Sequence, residues 1–253
     1  MGWQQQLGVG VGPLQPHFLS PNSTTHKPVN TAASLPLSST KTRNYTPTLR
    51  EISLQQLPPN ALRRKRDPNW RGGFSLGVDL GMSRTGLALS KGFSIRPLTV
   101  LELRGQKLEL QLLQIAQQEE ADEFIIGLPK SSDGKETPQS NKVRSVAGRF
   151  AARAAERCGL VIPNLIFRGW RVYLQDEHGT TTEATDRMIC MGLSRSTRQS
   201  KTDAYAAMMV LERYFSLAGQ ETELVLPKNL DLQERLKTGP PRDIDFFPEE
   251  FEG

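Results

Sequence analysis

Phe74-Ser75-Leu76-Gly77-Val78-Asp79-Leu80-Gly81, followed at once by Met82-Ser83-Arg84-Thr85-Gly86-Leu87-Ala88-Leu89-Ser90, is the stretch whose reading decides the fold. A short apolar run delivers a carboxylate, Asp79, to the end of a buried strand. Gly81 permits a tight turn, and a second apolar run ending at Leu89 returns beside the first. A charge at such a place costs free energy unless something pairs with it. Taken alone, Asp79 suits either a turn-former ahead of Gly81 or a metal ligand at the lip of a strand.

Outward from this hairpin, strand-like and helix-like segments alternate from 73 to about 218. Strands are expected at 74–79, 85–90, 98–103, 123–127 and 170–175. The fourth ends in Gly127-Leu128-Pro129, which forces a turn. Helical apolar spacing marks 106–120, through Leu108, Leu112, Leu113 and Ala116. It marks 138–158 as well, through Val143, Ala147, Phe150 and Ala154. Thr182 to Met191 and Thr202 to Leu217 complete the set. Three strands joined by hairpins, then helix–strand–helix–strand–helix, predict an α/β fold with a five-stranded mixed sheet flanked by helices.

Two further acidic sites join Asp79. Asp176-Glu177-His178-Gly179-Thr180-Thr181 follows the fifth strand, and Asp203 is expected to open the last helix in Thr202-Asp203-Ala204-Tyr205-Ala206-Ala207. Strand ends converge on one edge of an open α/β sheet. Carboxylates gathered there repel one another, and Mg²⁺ or Mn²⁺ relieves that repulsion through hard oxygen ligands. Two such ions serve phosphodiester hydrolysis by activating water and steadying the leaving oxygen. Taken singly, Asp176 and Asp203 also suit acids favoured by a helix dipole.

These four stretches, Gly77–Gly81 with Arg84–Ala88, Gly127–Pro129 with Asp133-Gly134, Asp176–Thr181 and Thr202–Ala207, together resemble the YqgF/RuvX family in order and spacing over about 74–217. Members of that family have been described as Holliday-junction resolvases and as nucleases trimming the 5′ end of pre-16S ribosomal RNA. The resemblance implies an RNase H-like fold and catalytic, metal-binding acids at Asp79, Glu177 and Asp203, with Asp176 as the fallback for Glu177. The family usually reads Asp-Glu-Arg-Leu/Phe-Thr-Thr, whereas His178 and Gly179 stand here. A histidine neutralises phosphate only when protonated, near ~6.5 in an unperturbed ring.

Candidate phosphate contacts are Arg84, close behind Asp79, and Lys130, at the end of the fourth strand, together with His178. Arg198 and Lys201, with Arg195, are expected to form a basic loop just before Asp203. Such contacts bind a nucleic-acid backbone without specifying sequence. Lys135 and Lys142 read as solvated, and Trp170 and Tyr173 as core. RNA is expected ahead of DNA, ribosomal precursor particles are the expected setting, and the chain is expected to act as a monomer or homodimer.

Charge is uneven. Residues 1–50 contain no Asp or Glu, four basic residues and twelve Ser or Thr, leaving 28 basic against 27 acidic residues from 51 onward. An acid-free, Ser/Thr-rich leader has the composition of an organelle transit peptide, and its Pro content with little Arg favours chloroplast over mitochondrion. Residues 51–72, with the run Arg63-Arg64-Lys65-Arg66, read as a linker, 73–218 as the nuclease domain and 219–253 as an acidic tail. No apolar run approaches the ~20 residues of a membrane helix, and Cys158 and Cys190 form no CxxC zinc motif.

Two other classes compete. An ATPase of the actin/Hsp70 type also begins with Gly-x-Asp-x-Gly but needs a second phosphate loop, and no second Asp-x-Gly-Gly is present. A Rossmann enzyme needs GxGxxG, which is absent. A non-catalytic RNA-binding protein of the same fold is discouraged by retention of all three acids, since bare carboxylates repel phosphate.

Overall fold

In the computed structural model, residue 54 and residues 56–237 are described, apart from 71, 93, 157–160, 163–164 and 167–169. The leader at 1–50, Cys158 and the acidic end of the tail lie outside the described residues.

The hairpin forms as its sequence dictates. β1 (Phe74–Leu80) pairs antiparallel with β2 (Thr85–Lys91), with Asp79 opposite Gly86. Gly81 makes the turn because a side chain there would come within 2.6 Å of the Arg84 carbonyl. β2 pairs antiparallel with β3 (Ser94–Leu101). β3 starts earlier than expected and runs through Pro97, a residue without a ladder donor. An edge strand tolerates this, and the register shifts at Leu87/Ala88 where Pro97 sits.

The helix α2 (Gly105–Gln118) leads to β4 (Ala121–Leu128), parallel to β1. Next, α3 (Pro138–Glu156) leads through a small separate ladder, β5 (Val161–Ile162) with β6 (Leu165–Ile166), to β7 (Arg171–Asp176), parallel to β4. The helices α4 (Thr180–Cys190) and α5 (Arg195–Ser216) follow. The strand order is β3-β2-β1-β4-β7-β8, three antiparallel strands and then parallel ones, which is the RNase H-like arrangement.

The sheet has six strands, not five. β8 (Glu223–Leu224) adds antiparallel to β7, and α6 (Leu230–Lys237) follows it. Residues 219–237 are therefore not part of a bare tail. Leu232 and Leu236, one helical turn apart, are buried with Leu57 and Ala155. Acidic composition hid that two-residue stripe. The expected linker also carries structure, because α1 (Asn60–Arg66) buries Asn60 and Ala61 against the sheet.

Two cores cover the two faces. Leu76, Val78, Leu80, Phe124 and Ile126 meet Leu112 and Leu113 of α2 and Phe150 of α3 on one face. Ile125 and Tyr173 meet Ala207, Val210 and Leu211 of α5 on the other. Strand alternation sends Asp79 to the α5 face, opposite to Val78 and Leu80. The expected core roles of Trp170 and Tyr173 hold: Trp170 Nε1 donates to Ala121 O at 2.6 Å and Tyr173 OH to Leu57 O at 3.0 Å. No helix among the described residues is long and apolar enough to cross a membrane.

Candidate active site

Three glycines bring the acids together. A Cβ at Gly77 would lie 2.6 Å from Leu211 Cγ and 2.8 Å from Ala207 O, so α5 rests directly on β1. A side chain at Gly86 would collide with the Asp203 carbonyl, and one at Gly127 with the Glu177 carboxylate. Asp203 is thereby seated against β2 opposite Asp79, and Glu177 folds over the end of β4.

Asp203 does not open its helix. α5 begins eight residues earlier, at Arg195, where the Ser194 hydroxyl accepts from Thr197 N at 3.2 Å as an N-cap. Arg195, Arg198 and Lys201 thus belong to the first turns of α5 rather than to a loop. The capping explanation for Asp203 falls with that boundary, and packing on Gly86 replaces it.

Glu177 lies one residue beyond β7, its amide donating to Leu128 O at 3.2 Å. Gly179 follows in the left-handed region, at φ +79, and turns the chain into α4. The adjacent Asp176 and Glu177 differ sharply. Asp176 accepts from His178 N at 2.8 Å and pairs with Lys130 Nζ at 3.4 Å. Glu177 Oε2 is buried without a hydrogen bond.

The electrostatics centre on Asp79. Burial, and then the Asp203 charge, push its carboxyl up to about 7. Burial pushes Glu177 up to about 8, with further upward pressure from Asp79 and Asp176 against the pull of Arg213. Arg84 Nε approaches Asp203 Oδ2 at 2.9 Å, yet that buried oxygen makes no aligned hydrogen bond. No group of three histidine, cysteine or acidic side chains stands in ligand position among the described residues. The acids share a field rather than a closed ligand set.

The donor chemistry nevertheless suits a hard divalent cation. One buried carboxylate oxygen, on Glu177, has no donor, and that of Asp203 is met by Arg84 without an aligned hydrogen bond. Burial beside neighbouring acids makes Asp79 and Glu177 resist ionisation. Asp79, Glu177 and Asp203 are the residues that could hold such an ion.

The expected phosphate contacts divide. Arg84 and Lys130 reach the acidic cluster through their ion pairs with Asp203 and Asp176. His178 is exposed, with Nδ1 3.2 Å from Lys130 O. Arg198 donates to Leu193 O at 2.7 Å, tying down the start of α5, and Lys201 is exposed. Sequence reading missed Arg213. Its guanidinium donates to the carbonyls of Asp176 at 3.2 Å and His178 at 2.8 Å and to Glu183 at 2.7 Å, bracing the loop that carries Glu177. Nothing local marks it, because all three partners lie on or just before another helix.

The sequence is similar to that of several known proteins. A family model described as "RuvX: Holliday junction resolvase" matches residues 73–217. A protein of Nocardioides sp. named "Putative pre-16S rRNA nuclease" is 33% identical over 148 residues, covering 56% of this chain and 86% of that protein. One of the same name from Clostridium botulinum is 32% identical over 142 residues, covering 55% of this chain and 93% of its own. Among solved structures, Thermus thermophilus RuvC bound to a Holliday junction substrate aligns with 60% of this chain and all of its own. Its TM-score is 0.39 at 15% identity, too slight to argue from. The family match covers more than half of the sequence and the whole region that carries the acids, so the chain belongs to the RuvX family of RNase H-like nucleases.

Proposed function

We propose that this chain is a divalent-metal-dependent nuclease that hydrolyses RNA phosphodiesters while trimming the 5′ end of pre-16S ribosomal RNA. The observation that carries the chemistry is the buried Glu177 oxygen with no donor, beside an Asp79 that resists ionisation and an Asp203 that Arg84 meets at 2.9 Å without an aligned hydrogen bond. The names of the relatives support the substrate.

Asp79, Glu177 and Asp203 would hold Mg²⁺ or Mn²⁺, which when bound supplies an activated water and stabilises the leaving oxygen. Near neutral pH Asp79 and Glu177 each retain protons in the empty protein, so loading releases them. Arg84 neutralises Asp203 in the empty state, and both it and Lys130 stand where the phosphate backbone would meet the sheet edge. Arg213 keeps the Glu177 loop in place, as fixed positioning requires.

The family description favours a second substrate, a four-way DNA junction, whose resolution needs two symmetric cuts and hence two copies of the chain. The deciding experiment offers the purified chain a pre-16S-like RNA and a four-way junction side by side, with Mg²⁺, Mn²⁺ or EDTA. Metal-dependent trimming of the RNA supports the proposal. Paired nicks in the junction alone would replace it with resolution, and no cleavage of either would leave a binding protein. The acid-free leader supports action in the chloroplast, and the relatives' name supports ribosomal precursor particles as the setting.

A further inference from the structure

Beside the acids, on the opposite face of the same sheet edge, lies a cleft of about 140 Å³. It begins where β1 ends, at Leu80, Gly81 and Met82, immediately after Asp79. The start of α2 and the first turns of α3 close its other sides. Buried Leu80, Leu108 and Val143 form an apolar floor, while Met82 stands 64% exposed at the mouth. Arg104, Lys142 and Arg149 line the rim, and no acidic residue does. Arg149 touches Ser145 and lies 3.7 Å from Glu109, whose main partner is Arg153 at 2.9 Å; Arg104 and Lys142 are exposed.

We propose that this cleft is a subsite for one unpaired nucleobase next to the cleaved phosphate, with Arg104 and Lys142 holding the phosphates that flank that base. This rests on the nuclease reading of the acids. Three features select the occupant. A space of this size accepts a single ring system, as an apolar cavity of about 150 Å³ accepts benzene. The rim is purely basic, which complements a polyanion and disfavours a cationic partner. The cleft shares Gly81 with the turn that ends the Asp79 strand, so a chain crossing the sheet edge passes from one site to the other.

The chemistry also restricts the substrate. A base can enter only if it is unstacked and unpaired, so this subsite selects single-stranded segments over duplex. Thr85 and Gln139 are the uncharged polar side chains in the lining, available to a base edge. Lys142, which reads from sequence as merely solvated, acquires a role from its position above the cleft.

The test is equilibrium binding of short fluorescein-labelled single-stranded RNAs to the full chain in EDTA, read by anisotropy, with an abasic site moved along the strand. One position is expected to weaken binding by about 5- to 150-fold, the range for loss of one base contact. Plugging the cleft with Val146→Trp, on a partly exposed face of α3, is expected to make intact and abasic RNAs bind alike. Lys142→Glu is expected to weaken both and to lower the salt dependence of binding. A flat abasic scan of the parent protein overturns the proposal, whether or not the Trp variant folds. Cleavage measured on the same RNAs with Mg²⁺ separates the two claims. Cleavage with a flat scan removes the base subsite and keeps the nuclease. An abasic-sensitive scan without cleavage keeps the subsite and removes the nuclease.

Discussion

Glu123, near the start of β4, and Glu177, just past the end of β7, lie at opposite ends of one sheet and are treated in opposite ways. Glu123 is fully buried and fully provided for. It accepts from Asn60 N at 3.0 Å, Ser75 Oγ at 2.7 Å and Tyr214 OH at 2.6 Å, with Arg171 Nη2 3.6 Å away. Burial pushes its carboxyl upward while Arg171 and the hydroxyl donors pull it back. Glu177, by contrast, keeps one oxygen with no donor, beside an Asp79 that is itself short of positive charge. A chain able to satisfy a buried acid at one end of its sheet leaves Asp79 and Glu177 ill-satisfied at the other. That contrast marks the second end as built for a ligand rather than for stability.

The largest expected effect removes the centre of the unsatisfied end. Asp79→Asn should lower metal-dependent cleavage by about 10⁴-fold or more, above 5 kcal/mol in barrier. Its melting temperature should equal or exceed that of the parent, because a carboxyl that resists ionisation is replaced by a neutral amide. Cleavage within tenfold of the parent would dissolve the distinction between the two ends.

The mirror experiment acts on the satisfied end. Glu123→Leu strands the Asn60 amide, the Tyr214 hydroxyl and part of the Arg171 charge in a dry interior. A loss of about 3–5 kcal/mol follows from breaking such a buried arrangement on one side, or on the order of 10 °C in Tm. Cleavage per folded molecule at low temperature should be unchanged. An unaltered Tm would show that the network contributes nothing.

A titration sharpens the comparison further. Raised carboxyls hold protons in the folded state that the unfolded chain has released, so each costs stability as pH climbs from its ordinary value toward its folded one. For Asp79 and Glu177 that window runs from about pH 4 to about 7 and 8. Metal-free protein should therefore lose stability, and Tm, steadily across it, and added Mg²⁺ should restore most of the loss at pH 8. Asp79→Asn should shrink the loss, leaving the part that burial of Glu177 causes. Stability that rises with pH in metal-free buffer would contradict the raised carboxyls.

Much of this was legible from residue order. The β1–β2 hairpin, the helix stripes and Asp79 at its strand end follow from local periodicity, whereas Glu177 rather than Asp176, and Asp203 as its companion, came from the resemblance to the family. What escaped depended on partners distant in sequence. Asn60 and Glu123 meet across 63 positions, so an apparent linker held a buried helix start. Leu232 and Leu236 carry too short a stripe to stand out in acidic company, and β8 exists only because β7 offers an edge. The start of α5 was misplaced because the basic residues from Arg195 to Lys201 resemble a loop, although Ser194 caps them into a helix. Arg213 braces backbone carbonyls, a role that leaves no trace in composition.

The smallest effect separates a binding role from a stabilising one at the unsatisfied end. Lys130 meets Asp176 at 3.4 Å with both side chains partly in water, and exposed pairs of this kind contribute about 0–1 kcal/mol. Lys130→Ala should therefore shift Tm by no more than a few degrees. If the lysine serves phosphate, the same substitution should weaken RNA binding across sequences alike and reduce the salt slope by about one. Arg144, tied bidentately to Glu136 and also to Glu223, provides the control. Its removal should cost stability through the lost tie to β8 while leaving the salt slope untouched. Equal salt slopes for the parent and Lys130→Ala would return Lys130 to the class of solvated surface charge and leave Arg84 as the cation that serves the acids.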